Sequence, residues 1–570
     1  ALFLSQQDSC RITHILERDG SIIDSSGVDV AAVHKHMIET GGITDYPGFT
    51  NSGPEVLEAE ADILIPAAME GVITEDNAPR IRAPLIIEAA NGPVTVGGDA
   101  ILRDRLYTND GTGTFVKGSL NLLPDLRSSG SVITAADIDG DMRLELFVGG
   151  RVVPGQYPEP PQSYLLKNTG SKYEDATDAI APEIKYAGMV TSALFTDVDG
   201  DHHPDLMVTY EWGPVRYFHN ESGQLVDRTA EADLVHRIGW YNSISGGDLD
   251  KDGDTDYLVG NFGYNTKYQA SPAKPEILYY GDFEGNGIKR IIEAKYENGI
   301  CFPHRGLGCS SGAMPLVRKK FPTYHEFAIT PLQGIYTDAL LNSADKFEVN
   351  ELASGILLNQ TDNQGNIEFV FQPLPRMAQA SPIFGSAVSD INGDGNLDLY
   401  VVQNFFGPQR ETGYMDGGVS LLMLGDGTGR FQEISPGESG LIVPGAGMSL
   451  TISDLNSDGR PDYLVGVNNN GLISFENQSQ EKFTAIRLTE LTEKQNYIGA
   501  IIKVFFMDNS VQLHEVYAGS GYLSQSAPIL FFASNEKELR VKRIEVRWSD
   551  GTTGTIFDIE QNIENPSFKM

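Results

Sequence analysis

Cysteine is scarce in this chain: three occur in 570 residues, at Cys10, Cys301 and Cys309. That excludes a disulfide-built scaffold and a cysteine-rich zinc cluster, although Cys301 and Cys309 could either pair across a loop or remain thiols. No run approaches the roughly 18 apolar residues that a membrane-crossing helix needs. Basic residues are few, with 42 Lys and Arg against 78 Asp and Glu and a net charge of −36. A nucleic-acid binder needs a basic face to displace counterions, and the charge argues against one. No HExxH is present, and the ten histidines are scattered, so no zinc-hydrolase constellation emerges. The chain opens on Ala1, and the ALFL run before Cys10 is far too short for a signal-peptide core. The natural N-terminus is therefore expected to be missing or unusual.

Glycine and proline are abundant, at 61 and 29 residues, without collagen periodicity, so turns must be frequent. The length requires several domains. Residues 1–105 alternate between helical and strand-like runs: RITHILE (11–17), a helical VDVAAVHKHMIET (28–40), then ADILIPAA (61–68) and APLIIEAA (83–90). The last two lack polar alternation, which suits a parallel sheet covered on both faces. From residue 106 the texture changes to short β-branched or aromatic runs between Gly-, Asp- and Asn-rich turns.

This second region repeats. The copies are DIDGDMRLE (137–145), DVDGDHHPD (197–205), DLDKDGDTD (248–256), DINGDGNLD (390–398) and DLNSDGRPD (454–462), each followed by an apolar strand. A weaker copy, DFEGNGIKR (282–290), has Arg290 at position 9. Blade-sized units of several short strands, about six in number, fit a β-propeller with insertions. Oxygen donors at positions 1, 3, 5 and 9 of a tight loop can turn inward together, the logic of calcium loops. The expected ligands are Asp137, Asp139, Asp141 and Glu145; Asp197, Asp199, Asp201 and Asp205; Asp248, Asp250, Asp252 and Asp256; Asp390, Asn392, Asp394 and Asp398; and Asp454, Asn456, Asp458 and Asp462. The bland alternative is a set of Asx turns. Five copies in phase favour a cation, because converging carboxylates would otherwise repel one another.

These DxDGDxxxD loops resemble the FG-GAP/VCBS repeats of integrin-type β-propellers, and YEWGPVRYFHN, GWYNSISGGDLDKDGDTDYLVGNFGYNTKY, KKFPTY and VNELASG extend the resemblance. IGAIIKVFF (498–506), EVYAGSGYLSQSAPILFF (515–532) and IEVRWSDGTTG (544–554) resemble the ASPIC/UnbV domain. Together these resemblances cover residues 106–570. They imply a propeller over 106–480, a small β domain over 481–570, and structural calcium sites in an extracellular or bacterial cell-surface protein. The implied partner is an unknown protein or glycan held on a propeller face. Ser520, Ser524 and Ser526 read as turn and edge residues.

Residues 1–105 resemble the nucleotide-binding domain of glutamate dehydrogenases through ERDGSIID (17–24), GGITDYPG (41–48), DILIPAA (62–68), ITEDNAPRI (73–81) and EAANGPVT (88–95). By that resemblance Glu17 would meet the adenine ribose, Ala67 and Ala68 the nicotinamide half, and Asn91 a cofactor ribose of NAD(P). The family's first strand, its GxGxxG loop and its substrate domain do not occur in these 570 residues. The expectation is a partial Rossmann-like α/β lobe, from a truncated fusion or a misjoined reading frame, ahead of a mainly β protein. The leading function is an exported calcium-binding propeller. The alternative is an NAD(P)-dependent glutamate dehydrogenase, which by itself would suggest the cytoplasm.

Overall fold

In a computed structural model the chain forms two compact units, residues 1–129 with 153–157, and residues 130–152 with 158–570. The structure describes residues 11–17, 20–65, 72–74, 76–83, 85–86, 106–109, 114–118, 121–126, 129–361, 367–408, 412–488, 497–533, 541–549, 551–557 and 568–569.

The first unit opens with an antiparallel hairpin, His14–Glu17 with Gly20–Ile23, extended by Phe49–Thr50. The helix Val30–Thr40 follows, where Asp29 caps the N-terminus by accepting from the Ala32 amide at 3.0 Å and Gly41 closes the other end at φ +86°. Its Val30 and Val33 are buried, and Val33 packs with Ile22, Val28 and Ile43. Ile63–Leu64 and Leu85–Ile86 pair in parallel, as their unbroken apolar runs lead one to expect. The hairpin of Tyr107–Asn109 and Phe115–Lys117 also falls within this unit.

The second unit is mainly β and propeller-like. Blade 1 consists of Ser129–Ala136, Glu145–Val152, Tyr164–Asn168 and Tyr173–Asp175. Blade 2 is Met189–Thr196, Asp205–Gly213, Arg216–Asn220 and Leu225–Asp227, and blade 3 is Ser243–Gly247, Asp256–Gly260, Gly355–Asn359 and Phe369–Pro373. Blade 4 is Ile383–Ser389, Asp398–Gln403, Leu421–Gly425 and Phe431–Ile434, and blade 5 is Gly447–Ser453, Asp462–Val467 and Ile473–Phe475. Consecutive blades share apolar cores. One runs from Phe147 and Leu165 to Val190 and Phe218, and another from Leu258 and Ile356 to Leu399 and Met423. First strands lie between neighbours, which is why all of Met189–Thr196 is buried.

The sixth repeat is not a blade. The strands Glu276–Gly281, Arg290–Glu297, Ile300–Pro303 and Asp345–Val349 form a separate sheet inserted between the second and third strands of blade 3. Five short helices between Leu307 and Ser343 cover it, around a core that includes Leu307, Phe321, Phe327 and Leu332. Among the described residues the count of about six blade units is thus corrected to five blades and an inserted sheet.

A last β domain has two sheets. Ile501–Phe506 pairs with Val511–Glu515 and Val541–Arg547, which in turn pairs with Thr553–Phe557, while Phe483–Arg487 pairs with Leu530–Ala533. From this domain the segment 516–529 threads among the first strands of all five blades. The Ala518 carbonyl accepts from Thr134 Oγ1 (2.6 Å) and the Ala135 amide (3.2 Å), and the Gly521 carbonyl accepts from Ser192 Oγ. The Gly521 amide donates to Ile244 O at 2.9 Å, the Tyr522 ring meets Phe384 at 5.1 Å, and Ser526 Oγ accepts from the Ile452 amide at 3.1 Å. Ser520 and Ser524 form a bridge, consistent with turn and edge residues. Among the described residues no helix is long and apolar enough to cross a membrane.

Candidate metal loops

Each repeat links the first and second strands of its blade, and each bends in the same way. Positions 4 and 6 are left-handed in every copy: Gly140 and Met142, Gly200 and His202, Lys251 and Gly253, Gly393 and Gly395, Ser457 and Gly459. Glycine takes this backbone without strain, whereas Met142 (φ +66°) and His202 (φ +81°) hold it at a cost.

Position 1 points its carboxylate into the turn. Asp137 accepts from the Asp141 and Met142 amides at 3.0 and 2.8 Å, Asp390 from Asp394 and Gly395 at 3.2 and 2.8 Å, and Asp454 from Asp458 and Gly459 at 3.0 and 3.1 Å. Asp248 is the exception. It is 8% exposed, its Oδ1 has no hydrogen-bond partner, and the Lys251 and Gly253 amides pull on the carboxylate without closing a bond to that oxygen.

Position 9 is a staple. One oxygen accepts from the position-2 amide and the other from an amide at the end of the third strand. The pairs are Ile138 and Asn168 on Glu145, Val198 and Asn220 on Asp205, Leu249 and Asn359 on Asp256, Ile391 and Gly425 on Asp398, and Leu455 and Asn477 on Asp462. All five of these residues are fully buried. The asparagines then reach the preceding blade. The Asn220 side chain donates to Ile138 O, Asn359 to Val198 O and Asn477 to Ile391 O, at 2.8–2.9 Å. Each of these carbonyls is position 2 of the neighbouring loop, so loops and blades lock in series.

Positions 3 and 5 face the mouth of the loop. Asp137, Asp139 and Glu145 bring ligand oxygens within 4.8 Å of one another, as do Asp248, Asp250 and Asp256. Asp141 instead pairs with Arg143, and Lys167 approaches Asp139. Asp252 accepts from the Asp254 amide at 3.0 Å. In the two loops with Asn at position 3, Asn392 donates to Asp394 and Asn456 to Asp458, at 3.0 and 2.9 Å. An amide there relieves the repulsion that a further carboxylate would add.

Withdrawal from water disfavours these charges. Burial pushes Glu145 up to about 7, Asp248 to about 6, Asp256 to about 8, and Asp390 and Asp398 to about 7. The Asp282 copy differs. Its carboxyl lies below the usual range because the Gly287 and Asn286 amides donate to it, and Arg290 donates to Ala313 O.

At the loop expected to offer Asp197, Asp199, Asp201 and Asp205, other protein side chains join the carboxylates. Arg547, from the last β domain, donates to Asp197 Oδ2 at 2.5 Å, and His219 Nδ1 lies 3.1 Å from Asp205 Oδ1 and 3.6 Å from Asp199 Oδ2. Asp199 and Asp201 converge with His219 rather than with Asp197. Arg547 thus pairs with Asp197, while His219 sits between Asp199 and Asp205. Arg547 and His219 escaped sequence reasoning. Of the asparagines that reach a neighbouring loop, Asn220 carried a signal, as the Asn of the strand-ending RYFHNESG.

Of the residues expected to meet NAD(P), Glu17 ends its hairpin strand, half-buried opposite Gly20. Ala67, Ala68 and Asn91 lie outside the described residues.

Comparison with known proteins agrees with this division. Residues 1–120 match the Glutamate/Leucine/Phenylalanine/Valine dehydrogenase family, residues 162–259 and 390–465 the FG-GAP-like repeat, and residues 491–564 the ASPIC and UnbV family. The chain therefore joins a dehydrogenase segment, FG-GAP repeats and an ASPIC/UnbV domain. A probable glutamate dehydrogenase of Sinorhizobium fredii is 42% identical over 120 residues, 20% of this chain and 27% of that protein. An NADP-specific glutamate dehydrogenase of Saccharolobus shibatae is 39% identical over 18% of this chain and 25% of its own. A glutamate dehydrogenase of Thermotoga maritima is 39% identical over 26% and 32%. The chain thus spans about a quarter to a third of the length of these relatives. An exotype rhamnogalacturonan lyase aligns over 75% of this chain and 72% of its own, at 13% identity and a TM-score of 0.28, which is too low to carry inference.

Proposed function

We propose that this chain is a calcium-stabilised binding protein of the cell exterior, whose loops at 137, 248, 390 and 454 hold calcium and whose blades present a surface to a protein or glycan ligand. The buried Asp248 Oδ1, without a hydrogen-bond partner beside Asp250 and Asp256, is the observation that carries the metal reading. A buried carboxylate oxygen without a donor is costly, and a hard divalent cation satisfies it. The donors are carboxylates, amides and backbone carbonyls, which suits calcium better than a softer metal. Sites of this kind in extracellular modules are weak, roughly 10⁻⁴ to 10⁻³ M, and fill only where calcium is plentiful. FG-GAP repeats, typical of extracellular proteins, support the exterior location.

The test compares two loops. In calcium, Asp248→Ala should lower the melting temperature clearly and Asp282→Ala hardly at all. In chelator, the gap between the two should narrow. Equal melting of both variants with and without calcium would reduce the loops to turns.

A second reading rests on the 42% identity of the front segment to a probable glutamate dehydrogenase. NAD(P) would there meet Glu17, with Ala67, Ala68 and Asn91 named by resemblance alone. Much of a hydride-transfer enzyme's acceleration comes from holding donor and acceptor together, and the substrate domain that does so is not among these residues. A nicotinamide absorbance assay on this chain, with glutamate or with 2-oxoglutarate and ammonia, should therefore stay at background. Turnover that Asn91→Ala abolishes would make the dehydrogenase reading primary.

A further inference from the structure

The position-1 carboxylate points into the turn of each loop, and among the described residues only one of the five meets a protein cation. Asp197 is that one. Its side chain is 5% exposed, and its Oδ2 accepts from Arg547 Nη2 at 2.5 Å. The guanidinium also reaches the His202 ring, and His202 Nδ1 lies 3.7 Å from the same carboxylate. On the other side His219 spans Asp199 and Asp205. The loop at 137 also touches cations, Lys167 on Asp139 and Arg143 on Asp141, but these side chains are 38% and 43% exposed and leave Asp137 to backbone amides.

Arg547 does not belong to the blades. It ends the strand Val541–Arg547 of the last β domain, opposite Ile501 and Thr553. The same domain touches the residue before Asp197, where Thr196 Oγ1 donates to Glu515 Oε2 at 2.8 Å. It also reaches the loop at 390, where Gln512 donates to Gly395 O at 3.3 Å. Two independent contacts thus fall on adjacent buried residues at the start of one loop.

We propose that the 197–205 loop is a docking site of the ASPIC/UnbV domain, with the Arg547 guanidinium in the place a calcium ion takes in the other loops, so that this loop binds no metal. A planar guanidinium makes the directed, charge-assisted bonds to a carboxylate that such a role needs. An ion seated on Asp197 would have to displace Arg547, and the domain is covalently tethered and so at high effective concentration. The calcium part rests on the reading given above, and the docking part stands without it.

The experiment uses the full chain. Calcium is counted by equilibrium dialysis after chelation, and amide hydrogen exchange is followed over residues 197–205 and 541–547. Asp199→Asn should leave the count unchanged, whereas Asp250→Asn should lower it by one. Arg547→Gln should raise exchange in both segments several-fold, and Arg547→Lys should restore part of the protection. Loss of one ion in Asp199→Asn overturns the metal-free assignment. Unaltered exchange in Arg547→Gln overturns the docking assignment. A count of zero in the parent protein would sink the calcium reading, and the exchange arm would still decide the docking. Circular dichroism of each variant separates these outcomes from global unfolding, and if Arg547→Gln does not fold, the exchange of Arg547→Lys at raised salt decides in its place.

Discussion

Metal-free protein should melt at a lower temperature at pH 8.5 than at pH 6.5, and calcium at about 10 mM should flatten or reverse that trend. Burial pushes Asp256 and Glu515 up to about 8, and Glu145, Asp390 and Asp398 to about 7. A carboxyl whose folded value is raised binds a proton in the folded state that the unfolded chain has already lost. Stability therefore falls as pH rises through the folded value. Asp256 and Glu515 alone make that slope up to about 1.4 kcal/mol per pH unit each while they titrate. The His514 imidazole, pushed down to about 4 by burial, opposes the trend only below its ordinary value of 6.5, so the comparison begins there. On the proposed reading, calcium would compete with the proton for the loop carboxylates and gain as they ionise. At about 10 mM and the weak affinities expected, each filled site adds roughly 1.4 to 2.7 kcal/mol by mass action. Thermal unfolding in chelator, calcium and magnesium across this range checks the sign. A metal-free melting temperature that rises with pH would contradict the buried-carboxyl account.

The staple predicts a second large effect with a different signature. Asp398 is fully buried and accepts from the Ile391 and Gly425 amides at 2.8 and 2.9 Å. Asp398→Ala leaves two buried donors without partners, at about 1–3 kcal/mol each. The variant should lose roughly 2–6 kcal/mol, and most of that loss should persist in chelator. Asp394→Ala, by contrast, should lose stability only when calcium is present. Asp398→Asn should recover part of the deficit, because the amide oxygen can still accept one bond. Denaturant unfolding of the three variants with and without calcium separates the roles. If Asp398→Ala behaves like Asp394→Ala in both conditions, position 9 acts as a ligand and not as a staple.

The blades were legible because one nine-residue pattern carries local information. Asp at position 1 invites an Asx turn, glycine marks most of the left-handed positions, and an apolar strand follows. The pattern also held a clue that only the structure makes clear. Position 9 is acidic in all five blade loops, and its second oxygen secures the third strand of the blade. At 282–290 that position is Arg290, so no staple can form, and the sheet there is an insertion rather than a blade. In the front segment, the helix at 30–40 and the parallel pairing of Ile63–Leu64 with Leu85–Ile86 followed from periodicity and unbroken apolar runs. What stayed hidden were contacts without a local signature. Arg547 reaches Asp197 across 350 residues, and Asn359 reaches Val198 across 161. An arginine in a strand of alternating polarity looks the same in sequence whether it faces water or another domain's carboxylate.

The thread of residues 516–529 through the inner strands has a consequence for how the molecule comes into being. Blades can form one after another as the chain emerges from the ribosome, since each is a meander, and only blade 3 carries a long insertion between its strands. Their first strands cannot make these contacts until residues 516–529 exist, because Thr134 waits for Ala518, 384 residues later. Contacts so distant in sequence are slow to form, and the half-made inner surface is exposed to wrong partners in the interval. Premature termination anywhere before residue 516 would leave five blades without their centrepiece. Synthesis of the segment 516–529 is therefore also the step that gives the first strand of blade 1 these partners.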